Sequence, residues 1–128
     1  MKKSIIQTNQ APAAIGPYSQ AVKAGNFLFV SGQVPIDPET GNVVIGGIES
    51  ETHRVMKNLE AILIEAGSSF KDVVKATLFI KNMEDFAKIN AVYAGYFDKN
   101  FPARETVEIS QLPRNANIEI SVVALLDN

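Results

Sequence analysis

Between residues 49 and 66, Thr52, Val55, Met56, Leu59, Ile62, Leu63 and Ala66 recur three and four positions apart. That spacing lays a single stripe along an α-helix, which Gly67 stops. The pattern then changes. Across residues 72–81, Val73, Val74, Ala76, Leu78, Phe79 and Ile80 are apolar on both faces, as expected of a central strand. Helical spacing returns with Phe86, Ile89, Asn90, Tyr93 and Phe97, behind Asn82 and Asp85, which resemble a helix start. This second helix is expected to end near Asp98.

Ahead of the first helix, residues 20–24 and 27–33 are strand-formers around Gly25-Asn26, a two-residue hairpin signal, and residues 35–42 read as a loop. Behind the second helix, residues 104–109 and 117–126 read as two strands joined by residues 110–116. The order β-β-α-β-α-β-β predicts an α+β domain in which two helices cover one face of a mixed sheet. A chain of 128 residues without repeats or a linker is expected to form one domain over residues 1–128.

In the last strand, Ile118, Ile120, Val122, Ala124 and Leu126 fall on one face, toward the helices. Glu119, Ser121, Val123 and Leu125 fall on the other. This second face is half apolar, too much so for free exposure over several strands, so another subunit is expected to cover it in a small homo-oligomer. Glu119 is the anomaly in the strand, because taking a charge out of water costs more than a packing contact returns. Two readings stand: an edge-strand glutamate that blocks unwanted pairing, or an oligomer-facing acid whose pKa is raised by desolvation and which exchanges protons near neutral pH.

Composition narrows the chemistry. Hydrophobic residues make up 46% and charged residues 20%, with no run approaching the roughly 20 residues of a membrane span, so no membrane role is expected. Lys2 and Lys3 have the charge of a signal peptide, but the apolar stretch behind them breaks at Gln7, which leaves the cytoplasm as the expected compartment. The absence of cysteine excludes disulfides, thiolate metal sites and cysteine nucleophiles, and a single histidine, His53, excludes His-pair clusters. No metal is expected. A net charge of -2, with Lys and Arg scattered singly, argues against nucleic acid as the primary partner.

Several residues remain as candidates. Arg104 follows Phe101-Pro102-Ala103 at a strand mouth, where a guanidinium can fork onto a carboxylate; it could equally be a structural ion-pair residue, even the partner of Glu119. Tyr18 follows the Gly16-Pro17 bend and could reach a ligand or pack beneath the sheet. Asn90 sits on the helix-two stripe, where a satisfied structural amide is the commoner meaning. Gly32 lets backbone N–H groups approach a ligand, while Ser31 has no neighbouring His-acid pair to make it a nucleophile. His53 reads as a solvated-face residue, and Gly46-Gly47 lacks the lysine and spacing of a phosphate loop.

Taken together, IGPYSQA at 15–21, SGQ at 31–33, Asn90, FPAR at 101–104, and LP at 112–113 followed by IEI at 118–120 resemble the Rid family, also called YjgF/YER057c/UK114. The resemblance covers essentially the whole chain, and the spacing from Arg104 to IEI is its most specific part. It implies the YjgF-like, chorismate mutase-like fold and a homotrimer whose sheets pack into a barrel-like core with clefts between subunits. Arg104 matches the arginine that marks the enamine/imine deaminase branch. That branch implies hydrolysis of 2-iminopropanoate and 2-iminobutanoate to 2-oxo acids and ammonia without a cofactor, protecting pyridoxal-phosphate enzymes from these species.

The resemblance also implies roles. Arg104 holds the substrate carboxylate, Glu119 activates water and moves the proton, and Tyr18 closes a wall from the adjacent subunit. Gly32, Glu105, Thr106 and Asn90 complete the pocket, with Ser31 a weaker member. Two positions depart from the family pattern: Thr106 stands where many members carry cysteine, and Glu105 replaces a small residue. By alternation Glu105 points away from Arg104, yet its charge could compete for the guanidinium. A non-enzymatic chaperone or regulatory binding role is the main alternative. A ribonuclease or translation inhibitor is weaker, given the acidic pI and lone histidine.

Overall fold

Gly25, at φ 61, turns the chain between β2 (Ala21–Ala24) and β3 (Phe27–Gln33), which pair antiparallel from Ala24↔Phe27 to Ala21↔Val30. The computed structural model describes residues 2–126. After β3 come α1 (Ile48–Glu65), β4 (Val73–Ile80), α2 (Phe86–Ala94), β5 (Ala103–Glu108) and β6 (Ile118–Leu125). One further strand precedes the hairpin, β1 (Lys3–Ile6), which pairs antiparallel with β2. Its burial pattern explains why the sequence does not announce it: only Ile6 is buried, so no alternation is written into it.

The expected α+β architecture is present: α1 and α2 pack on one face of a six-stranded mixed sheet in the order β1-β2-β3-β6-β4-β5. All neighbours are antiparallel except β4 and β5, which α2 connects as a parallel pair. The strand β6 does not lie beside β5, which precedes it in sequence. It inserts between β3 and β4, so the two halves of the chain are stitched through it. The second helix is shorter than its pattern predicts. Residues Met83–Asp85 form a 3-10 turn, opened by Asn82, whose side chain accepts from the Glu84 N–H at 2.9 Å, and the helix itself stops at Ala94.

The core lies between the helices and the sheet. Thr52, Val55, Met56, Leu59, Ile62 and Leu63 of α1 are fully buried, against Leu28, Leu78, Ile80, Ile118, Ile120 and Ala124 of the sheet. Each of the Val, Leu, Ile and Met side chains among them contributes about 1.5–3 kcal/mol on transfer from water, so this stripe holds the helix in place. Two polar side chains in the core are paired. Asn58 donates to the carbonyls of Val34 and Ile36, and Glu51 accepts from the backbone and side-chain amides of Asn117.

The other sheet face is open. Phe27 pairs with Leu125, Phe29 with Val123, and Val107 with Phe79, and of these Phe27, Phe29, Val107 and Leu125 are exposed. No helix among the described residues is long and apolar enough to cross a membrane.

Candidate active site

Two clefts hold the candidate residues. The first is built by an irregularity in β3. Val30 pairs with Val122 and Gln33 with Ile120, so three steps on β3 oppose two on β6 and the Ser31-Gly32 pair forms a bulge. The bulge is anchored by Ser31, whose Oγ donates to the Ser19 carbonyl at 2.6 Å and whose N–H donates to the Gln20 carbonyl at 2.9 Å. Opposite it stands Glu119. A Cβ on Gly32 would lie 2.5 Å from Glu119 Oε2 and 2.7 Å from its Cδ, so the glycine makes the space that the carboxylate fills. Glu119 is half-buried and its side chain makes no ion pair or hydrogen bond among the described residues, and burial pushes its pKa above the ordinary carboxylate value.

The cleft around it, about 610 Å³, is lined by Pro12, Ile15, Tyr18, Gly32, Arg114 and Glu119 among others. Its outer wall is the segment before β2. Buried Gln20 pins that wall, donating to the carbonyls of Thr8 and Pro12 at 3.0 and 2.9 Å and accepting from the Thr8 N–H at 2.7 Å. Tyr18 is exposed on this wall. Arg114, at φ 61, turns its guanidinium onto the Gly41 carbonyl at 3.0 Å rather than toward Glu119.

The second cleft, about 310 Å³, is lined by Asn90, Tyr93, Ala94, Phe101, Pro102 and Arg104. Arg104 Nη1 donates to Asn90 Oδ1 at 2.8 Å, and the guanidinium carbon lies 5.5 Å from the Phe86 ring centroid and 5.1 Å from that of Tyr93. Among the described residues no carboxylate pairs with Arg104. Thr106, two residues along the same face of β5, has a buried Oγ1 without a partner among the described residues. The Glu105 side chain lies apart from this cleft: its carboxylate meets Lys75 Nζ at 2.9 Å and accepts from Thr77 Oγ1 at 3.4 Å on the open face. The Lys75 hydrogen bond and charge hold its pKa below the ordinary value.

The two clefts belong to opposite faces of the sheet. Arg104 is in register with Ala76, and Ala76 with Val122, both buried under the helices, whereas Glu119 alternates with buried Ile118 and Ile120 and faces the other way. The two residues are three steps along the strands and two strands across, each roughly 10 Å. An ion pair between Arg104 and Glu119 within one chain, allowed by the sequence, is therefore ruled out. Tyr18, Gly32 and Glu119 share one cleft, and Arg104 and Asn90 line the other, with Thr106 outside its lining two residues further along β5.

Sequence reasoning passed over Phe86 and Tyr93 as site residues, because their helical spacing reads only as core packing. His53 lies in neither cleft; it is exposed on α1, with Nδ1 2.8 Å from Tyr96 Oη. Among the described residues no group of three or more His, Cys, Asp or Glu side chains gathers to hold a metal.

Comparison with known proteins adds four likenesses to this geometry. A family profile described as Endoribonuclease L-PSP matches residues 8–126. The chain is 55% identical over 124 residues to the RutC family protein PYRAB12510 of Pyrococcus abyssi, covering 97% of this chain and 98% of that one. It is 44% identical over 126 residues to the chloroplastic Reactive Intermediate Deaminase A of Arabidopsis thaliana, covering 98% of this chain and 67% of the relative. Among solved structures, E. coli TdcF with bound serine superposes with a TM-score of 0.92 at 38% identity, covering 97% of this chain and 99% of that one.

Proposed function

The chain belongs to the Rid (YjgF/YER057c/UK114) family, and on that premise we propose that it is a deaminase that hydrolyses short 2-imino acids, 2-iminobutanoate and 2-iminopropanoate, to 2-oxo acids and ammonia. The observation that carries this reading is the pair of unspent charges: an Arg104 guanidinium with no carboxylate partner and a Glu119 carboxylate with no cation, each open to a cleft. A 2-imino acid offers what both lack, a carboxylate at one end and an electrophilic C=N at the other. The serine bound by TdcF is likewise a small molecule with a carboxylate beside a nitrogen-bearing carbon.

Because the two clefts open on opposite faces, we propose that the working site forms between copies in a homotrimer, with Arg104, Asn90 and Thr106 from one subunit and Tyr18, Gly32 and Glu119 from its neighbour. The apolar open face, with Phe29 and Val123 at its centre, is the surface such an assembly would cover. This grouping differs from the sequence expectation in one respect: Tyr18 sits with Glu119, so both come from the subunit opposite Arg104.

The chemistry needs no cofactor, since a protonated imine is already electrophilic. Arg104 binds the substrate carboxylate. Glu119 takes a proton from water as its oxygen adds to the C=N carbon, giving a carbinolamine. The same acid returns the proton to nitrogen; as the C–N bond breaks and ammonia leaves, the carboxylate takes the remaining hydroxyl proton so that the C=O forms, and passing that proton to ammonia releases ammonium and restores Glu119. Tyr18 closes the wall beside the nitrogen. Pyridoxal-phosphate dehydratases release such imines, which sets the reaction in the cytoplasm beside them. A ribonuclease reading, which the family profile's description suggests, gains less from the geometry because the single histidine lies outside both clefts.

The test couples the purified protein to a threonine dehydratase and follows imine decay. Wild type accelerates decay, while Arg104→Ala and Glu119→Ala do not. An unchanged decay rate with wild type refutes the enzyme reading.

A further inference from the structure

One face of α2 is shaped around a single cation. Phe86, Asn90 and Tyr93, at i, i+4 and i+7, all meet the Arg104 guanidinium, two through rings within the roughly 6 Å reach of a cation–π contact and one through an amide oxygen. Asn90 takes one N–H and brings no charge, so most of the guanidinium's donors stay unspent and no ion pair forms there; an aspartate in its place would have offered a competing carboxylate. The Tyr93 ring is itself fixed. It is 4% exposed and packs on Phe97 at 4.8 Å, and Phe97 packs on Phe70 at 5.3 Å and Phe101 at 6.1 Å. The orientation of the arginine is thus set from the hydrophobic core through a chain of rings. The Tyr93 hydroxyl takes no part in this; it is buried and has no partner.

We propose that Tyr93, assisted by Phe86, is a positioning residue that holds the Arg104 guanidinium flat, oriented and unpaired, so that a substrate carboxylate meets a preorganised fork. A guanidinium on a free side chain would have to give up its rotational freedom on binding, and the rings remove that cost in advance. The kinetic part of this inference rests on the imino-acid deaminase reading; the spectroscopic part does not.

Two readouts test it on the full-length protein. Rotation about the Arg104 Nε–Cζ bond, followed by NMR of the guanidinium nitrogens, is slow in wild type and fast in Tyr93→Leu. The same substitution raises KM for the imine about 3–30-fold, with kcat changed by less than about two-fold. Tyr93→Phe, which keeps the ring and removes only the unpartnered hydroxyl, restores both. If Tyr93→Leu fails to fold, Phe86→Leu at its half-buried position gives the same two shifts. Unchanged rotation and unchanged KM in the folded leucine variants overturn the proposal, as does a lower melting temperature with neither shift. If wild type turns over no imine, the deaminase reading falls instead, and the rotation measurement alone decides the role of Tyr93.

Discussion

The carboxylate of Glu119 occupies the ground that a side chain on Gly32 would need: Oε2 lies 2.5 Å from where that Cβ would stand. A strand bulge, a glycine and an acid are therefore one arrangement. Gly32→Ala forces the Glu119 side chain to swing aside. Because the obstacle is the end of a flexible side chain, the change is expected to cost about 1 kcal/mol or less in stability, at the low end for overpacking. Its cost in activity is far larger, about 100-fold or more, since a small misplacement of the reacting group is enough. Urea unfolding alongside steady-state kinetics separates the two effects.

Burial alone raises the Glu119 pKa above its ordinary value of 4.5. The folded state therefore favours the neutral acid. The stability that this residue contributes is complete below the unfolded-state value and is lost as pH rises through the folded value. Glu119→Gln, neutral throughout, is expected to melt above wild type at pH 7 and level with it at pH 3, while losing turnover. In wild type, kcat/KM should climb with pH along a limb whose midpoint lies above 4.5. Melting curves at the two pH values and a pH–rate profile check both halves.

Arg104→Lys keeps the charge and loses the planar fork, the Asn90 geometry and the guanidinium's contacts with the two rings. It is expected to raise KM about ten-fold or more, whereas Arg104→Ala should cost about 100-fold or more in kcat/KM. Steady-state kinetics on the two variants distinguish a demand for shape from a demand for charge.

Phe29 and Val123 face one another on the open side of the sheet. Phe29→Asp leaves the helix-covered core untouched but places a charge where the proposed interface lies. The expected result is a folded monomer with less than about one-tenth of wild-type activity, seen by sedimentation together with circular dichroism and kinetics. A trimer of full activity would contradict the assembly.

Much of this architecture is written in periodicity. The α1 stripe, the alternation in β6 and the Gly25-Asn26 turn each satisfy a local rule, and the structure places them as those rules require. What escapes is decided at a distance. Strand β1 exists because β2 has a free edge, and nothing in Lys3–Ile6 alternates. The insertion of β6 between β3 and β4 depends on pairing partners far apart in sequence. At the site, Glu119 stood out because one charge interrupts an apolar strand, and Arg104 was found through its motif. Tyr93 and Phe86 did not, since an aromatic residue on a helix stripe reads the same whether it meets leucine or guanidinium.

The opposite-face placement of Arg104 and Glu119 has a genetic consequence. In the proposed trimer neither damaged chain need be lost, because a protomer lacking the arginine would still offer its glutamate to a neighbour. Arg104→Ala and Glu119→Gln proteins, each inert by itself, should recover activity when unfolded together and reassembled. Random mixing of equal amounts in a ring leaves about one cleft in four with both groups intact. Two broken alleles in one cell would then make a working enzyme between them.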